Sequence, residues 1–182
     1  MTGEVGSAPS VRIIHLDPAT LEHLADGDLV LASQHCPWQL SPWLAGPDAV
    51  DVWRVRARQA VAAPQDLPWI TGIVWDEHAA AAVGMAGFHA APDAEGMVEV
   101  GYAVDPALRR RGDARAALDV LLSRAHASPL IRTVRATVAP DNLPSLALLA
   151  DYDFLEVGEQ WDEEDGLEIV YELAADASRS RA

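Results

Sequence analysis

Apolar and polar positions change rhythm repeatedly along the 182 residues of the chain. VRIIHLD (11–17) reads as a first strand. PATLEHLADGD follows as a short helix with Pro18 in its first turn, where a missing N–H costs nothing. Residues 33–68 are punctuated by Pro37, Pro42, Pro47, Pro64 and Pro68 around one helical stretch, DAVDVWRVRARQAV. WITGIVW (69–75) and AAVGMAGFHA (81–90), separated by the polar DEHA, predict an antiparallel hairpin. APDAEG is a turn-rich break, and MVEVGYAV (97–104) is another strand. A helix of about four turns comes next, with Ala117, Leu118, Leu121, Leu122 and Ala125 on one stripe.

IRTVRATV (131–138) predicts a further strand, and APDNLPSLALLADYDF a short helix capped by Asp141 or Asn142, with Pro144 in its first turn. FLEVGEQW and LEIVYEL predict a closing hairpin around DEEDG, in which Leu167, Ile169, Tyr171 and Leu173 alternate as in a half-buried strand. The order β-α-α-β-β-β-α-β-α-β-β defines an α/β (α+β) mixture with a largely antiparallel sheet. One domain is expected over 11–174, between a flexible N-terminus (1–10) and a flexible tail (175–182).

Charge changes this picture in one place. The formal net charge is −15, and all thirteen basic residues are arginine. Such a surface repels nucleic acid and anionic lipid and attracts cations, protonated amines among them. Cys36 is the only cysteine, so no intramolecular disulfide or thiolate metal cluster forms. The N-terminal residues lack a signal peptide's basic and apolar regions, and Ala79–Phe88, the longest run of apolar residues and glycine, is too short to span a membrane. A cytoplasmic protein is expected. Yet seven arginines lie between 109 and 135, three of them consecutive in RRRGDA, between a strand and a helix.

A helix N-terminus offers unpaired N–H groups and the positive end of the helix dipole. A glycine there lets an anion approach the backbone, and arginine adds bidentate hydrogen bonds to phosphate oxygens. Strand, RRRG, helix therefore suits a phosphate or pyrophosphate. A solvated charge run is the plainer alternative. The segment is neither a P-loop, for want of GK[ST], nor a GxGxxG fingerprint.

Arg109-Arg110-Arg111-Gly112-Asp113-Ala114 fits the pattern R/Q-x-x-G-x-G/A. It follows the turn Val104-Asp105-Pro106, and Asn142 with Ser145 opens a helix after the next strand. These features resemble the GNAT superfamily of acyl-CoA-dependent N-acetyltransferases. EVGYAVDPALRRRG is especially similar to the branch that acetylates N-termini of ribosomal proteins. The resemblance implies a mixed, mostly antiparallel sheet flanked by helices, with a V-shaped splay between the fourth and fifth strands. It implies that backbone amides of Arg109, Arg110, Arg111, Gly112, Asp113 and Ala114 wrap the CoA pyrophosphate. Ala103 and Val104 would pair with the pantetheine arm, and Asn142 would hydrogen-bond it unless it is only a helix cap. Four positions depart from the family pattern, two of them in one motif. Arg110 stands where glycine is usual, Asp113 where an apolar residue or tyrosine is common, and Leu149-Ala150-Asp151-Tyr152-Asp153-Phe154 replaces Y-x-x-x-G-F, so the usual tyrosine acid is absent.

Acetyl transfer to an amine needs a base, a polarised thioester carbonyl and a proton for the thiolate. Glu99, on the strand that would present the thioester, is the candidate base; an exposed strand glutamate is an equally ordinary role. Ser145 resembles the serine near the CoA sulfur in the ribosomal-protein branch, although serine is also common in a first helical turn. Tyr102 and Tyr152 are other possible donors. His89 ends a strand, where a lone histidine is more often structural. His35 beside Cys36 lacks a third metal ligand, so no metal is expected. Trp38, Trp43 and DEEDG would line an acceptor pocket or serve only packing. The expected activity is acetyl transfer from acetyl-CoA to a primary amine, either a protein N-terminus or a small cationic amine. The alternative is a catalytically silent acyl-CoA-binding regulatory module of the same fold. A homodimer is a possible assembly.

Overall fold

A computed structural model describes residues 10–163 and 166–175. Nearly all of the two expected end segments, and the centre of DEEDG, therefore lie outside the described residues. Seven strands form a sheet in the order β1-β2-β3-β4-β5-β7-β6. They are β1 (Val11–Ile14), β2 (Gly72–Asp76), β3 (Ala81–Phe88), β4 (Met97–Val104), β5 (Thr133–Val138), β6 (Leu155–Asp162) and β7 (Gly166–Ala174). The helices are α1 (Pro18–Ala25), α2 (Leu29–His35), α3 (Pro47–Ala62), α4 (Asp113–Ala127) and α5 (Leu143–Leu149). The fold is the expected mixed α/β one. The β1–β2, β2–β3, β5–β7 and β6–β7 pairs are antiparallel, and β4–β5 is parallel.

Two local readings change. The one short helix expected at 18–28 ends at Ala25 and a second helix follows it, because Gly27 takes φ +74° and Asp28 then caps α2, accepting from Leu31 N at 2.9 Å. Strand β2 starts at Gly72 rather than Trp69, since Trp69 N and Ile70 N both bond Asp66 O and prolong the turn after Pro64.

The chain divides into two compact units, one running to Gly87 and including Tyr102–Val120, the other comprising Phe88–Gly101 and the residues from Leu121 onward. The first unit holds a dense apolar cluster that includes Leu21, Leu24, Leu44, Ile70, Ile73 and Trp53. Trp53 is fully buried, and its indole N–H donates to Leu44 O at 2.8 Å, so the ring packs without an unsatisfied donor. In the second unit β4 and β5 alternate, with Val98, Val100, Val134, Ala136 and Val138 buried on one face. Glu99, Arg135 and Thr137 occupy the other face. Pairing runs from Met97↔Thr133 to Glu99↔Arg135 and ends there, although β4 continues to Val104 and β5 to Val138. This is the splay expected between the fourth and fifth strands.

Candidate functional site

In the first unit, the strand-to-helix passage is built by a chain of local bonds. Asp105 N donates to Val83 O at 3.0 Å, and the Asp105 carboxylate accepts from Ala107 N at 2.9 Å, making a short turn over Pro106–Leu108. Arg109 Nε then donates to Val104 O at 3.2 Å, which ties the first arginine to the end of β4. Arg110 has φ +68° and Gly112 φ +94°, so the chain turns twice through the left-handed region before α4. Glycine enters that region freely, whereas an L side chain pays about 1 kcal/mol or more. The glycine customary at the position of Arg110 thus has a physical reason, and Arg110 occupies its conformation under strain.

The first bond of α4 runs from Ala116 N to Gly112 O at 3.0 Å. Among the described residues, the amides of Arg110 through Ala114 find no backbone carbonyl. Arg109, Arg110, Arg111 and Gly112 are exposed. Unpaired amides at a helix start, a left-handed loop and three exposed guanidinium groups suit an anion with several oxygens. Asp113 behaves differently. It is 2 % exposed, and neither carboxylate oxygen has a hydrogen-bond partner among the described residues. Burial, and then the carboxylate of Asp76, push its carboxyl above the ordinary value, while Arg111 pulls it down. The side chain is turned into the protein, so what Asp113 offers the loop is its backbone amide.

In the second unit, Glu99 sits within a polar cluster on the sheet face opposite the buried valines. Thr137 Oγ1 donates to Glu99 Oε1 at 2.7 Å, and His89 Nδ1 lies 3.6 Å from the same oxygen. Register places Glu99 beside Arg135, and Arg135 beside Glu172. Arg135 turns away from Glu99, donating to Glu172 Oε1 from Nη2 at 2.6 Å and from Nε at 3.1 Å. Oε2 of Glu99 accepts no protein hydrogen bond among the described residues, and the side chain is 21 % exposed. A carboxylate with one oxygen held and the other open is equipped to take a proton. Thr137 escaped sequence reasoning, because only the parallel register brings it within reach of Glu99.

Asn142 caps α5, its Oδ1 accepting from Ser145 N at 3.3 Å, so its side-chain carbonyl is engaged locally. Ser145 lies part-buried in the first turn of α5. No bond joins Ser145 or Asn142 to Glu99 among the described residues. Leu149, where the family tyrosine would stand, is 2 % exposed.

The remaining candidates separate. His35 stacks on His23 at 5.2 Å, and no group of three or more metal-ligating side chains occurs among the described residues. Trp38 packs edge-on to Trp75, beneath the Arg12 guanidinium. Trp43 Nε1 and Ser41 Oγ are buried without a hydrogen-bond partner among the described residues. No described helix is long and apolar enough to cross a membrane.

Comparison with known proteins agrees with these features. Residues 13–154 match the family described as Acetyltransferase (GNAT) domain. The chain belongs to the GNAT acetyltransferase family.

Solved structures share the fold at low identity. The ribosomal-protein-S5-alanine acetyltransferase from Vibrio fischeri is 19% identical with a TM-score of 0.63, over 94% of this chain and 95% of that one. The ribosomal L7/L12 alpha-N-protein acetyltransferase RimL, solved with coenzyme A, is 16% identical with a TM-score of 0.65, over 92% of this chain and 96% of that one. The dodecameric spermidine N-acetyltransferase from Vibrio cholerae is 14% identical with a TM-score of 0.65, over 97% of this chain and 100% of that one. No curated protein matches the sequence.

Proposed function

We propose that the protein transfers an acetyl group from acetyl-CoA to a primary amine, a protein N-terminus or a small cationic amine, by direct attack on the thioester. The observation that carries this reading is the loop Arg109–Ala114, where left-handed turns at Arg110 and Gly112 leave amides free at the start of α4 beside exposed arginines. These residues fit a pyrophosphate, and solved structures of similar fold hold CoA or acetyl-CoA. When bound, acetyl-CoA supplies the activated acetyl group. The amides of Arg109 through Ala114 hold its pyrophosphate, and Ala103 and Val104 align its pantetheine arm.

Glu99 accepts a proton from the ammonium at Oε2, which frees the nitrogen lone pair for the carbonyl carbon. An N–H of β4 stabilises the charge gathering on the carbonyl oxygen. As the carbon–sulfur bond breaks, Ser145 gives the thiolate a proton and regains one from the attacking nitrogen. Overall, the ammonium loses two protons: one ends on sulfur and one in solvent. The net charge of −15 supports a cationic acceptor. Homologous folds occur in assemblies as large as a dodecamer, which keeps a homodimer within the proposal.

Buried Leu149 favours a second reading, an acyl-CoA-binding module without turnover, because no hydroxyl replaces the family's tyrosine there. Two measurements separate these readings. Thermal stabilisation by millimolar acetyl-CoA supports both, and its absence defeats both. Release of CoA thiol with a panel of amino-acyl peptides and polyamines supports the enzyme. Stabilisation with no thiol release from any amine supports the silent module.

A further inference from the structure

We propose that His89 is the proton exit behind Glu99, carrying to solvent the proton that Glu99 takes from the acceptor ammonium. The inference rests on the reading of Glu99 as the base, and it is carried by how the second unit fixes the imidazole. Backbone and side chain both hold it: His89 N donates to Glu99 O at 2.8 Å, and the ring lies over Gly101, whose added Cβ would come within 2.7 Å of Nε2. Glu99 and Gly101 are two apart on β4 and share a face, so the absence of a side chain at 101 is what gives the ring room beside the carboxylate.

Charge on this face is distributed in a way that assigns the proton path. Arg135 and Glu172 neutralise each other through two hydrogen bonds. Thr137 gives Glu99 Oε1 a neutral hydrogen bond, which orients the carboxylate without discharging it. Among the described residues, the one basic group within 4 Å of Glu99 is therefore His89, at 3.6 Å. The two side chains differ in access to water, 44 % exposed for His89 against 21 % for Glu99. A base that retained its proton would be idle after one turnover. The proton taken at Oε2 passes through a bridging water to the imidazole Nδ1, since that nitrogen faces Oε1 at 3.6 Å, beyond direct hydrogen-bond reach. Glu99 becomes a carboxylate again, and the imidazolium formed loses a proton to water. No other co-reactant is needed, and the proton appears in solvent as the one the overall reaction releases.

Two experiments test the relay with the full chain. In the first, His89→Gln and Gly101→Ala are assayed with acetyl-CoA and the amine that gives most thiol release, at rising concentrations of an imidazole buffer. Both variants should lose about tenfold in kcat at low buffer, less than the roughly 10²–10⁴-fold of a group that itself takes the substrate's proton, with KM for acetyl-CoA within about twofold. Their kcat should climb with buffer concentration, while the wild type does not respond. Gly101→Ala keeps the imidazole and only displaces it, so it tests position apart from chemistry. Buffer-independent kcat in both variants overturns the relay.

The second experiment follows the His89 ring by NMR titration and needs no turnover. Replacing Glu99 with Gln removes the negative neighbour, so His89 should titrate lower in Glu99→Gln than in the wild type. An unmoved titration overturns the pairing even if the enzyme is active. A moved titration in a protein that acetylates no amine overturns the acetyltransferase reading while leaving the Glu99–His89 pair intact.

Discussion

The loop Arg109–Ala114 and the Glu99 cluster are built in opposite ways. The loop presents backbone: free amides, left-handed turns and several exposed guanidinium groups, none of which acts alone. The Glu99 cluster depends on one carboxylate, with Thr137 and His89 committed to a single oxygen of it. A site distributed over amides tolerates side-chain exchange, and Arg110 and Asp113 stand at unusual positions there. A site resting on one proton-accepting atom has no such tolerance.

Mutation can break this contrast, and the largest effect is expected at Glu99. Glu99→Gln retains a hydrogen-bond acceptor for Thr137 but not the base, and should lower kcat/KM by on the order of 10²–10³-fold at neutral pH. Steady-state thiol release checks this, and a loss smaller than tenfold would remove Glu99 as the base. The double replacement Arg109→Ala with Arg111→Ala should weaken acetyl-CoA binding by about tenfold, the scale of one charge-assisted hydrogen bond. The effect should shrink with added salt, since these groups are exposed. Calorimetric titration at two ionic strengths measures it, and equal affinity in the double variant would dissolve the phosphate clamp.

Asp113→Asn reads the buried carboxyl. Its pKa is raised in the folded protein by burial and by Asp76. The stability it contributes is therefore fully present below the unfolded-state value and lost as pH rises through the folded-state value. The asparagine variant loses no such stability, so it should gain on the wild type as pH rises, reaching about 1 kcal/mol from removal of an unpartnered buried carboxylate. Urea unfolding at a series of pH values tests the sign; a gap that narrows with rising pH contradicts it.

The smallest effect is expected at Arg110. Arg110→Gly relieves the left-handed backbone while loosening the unfolded chain, so stability should rise by no more than about 1 kcal/mol. Acetyl-CoA affinity should stay within about twofold, because Arg109, Arg111 and the amides remain.

How much of this was legible beforehand depended on range along the chain. MVEVGYAV was readable to the residue as β4, and Asn142 was one of two foreseen caps for α5, because alternation and capping are local. The RRRG loop was legible as a strand-to-helix turn rich in arginine, a candidate anion site, for the same reason. Helix α2 was missed: seven residues without a marked apolar stripe carry little periodic signal, and its existence turns on the left-handed Gly27 and the Asp28 cap. The Glu99 cluster was legible only as a single residue. His89 and Thr137 lie 10 and 38 positions from Glu99, the one just past β3 and the other on β5, and no spacing rule links them.

By itself the sequence determined the strand and helix alternation, the acidic surface and the place where arginine and glycine meet a helix start. Each follows from neighbours within a few residues, where backbone geometry and side-chain period act directly. The tertiary structure decided which way Asp113 turns, that Arg110 is strained, and that Arg135 is taken by Glu172 while Thr137 and His89 converge on Glu99. Those outcomes follow from strand register and burial. Both are set by packing across the sheet, which brings together residues that the chain itself keeps far apart.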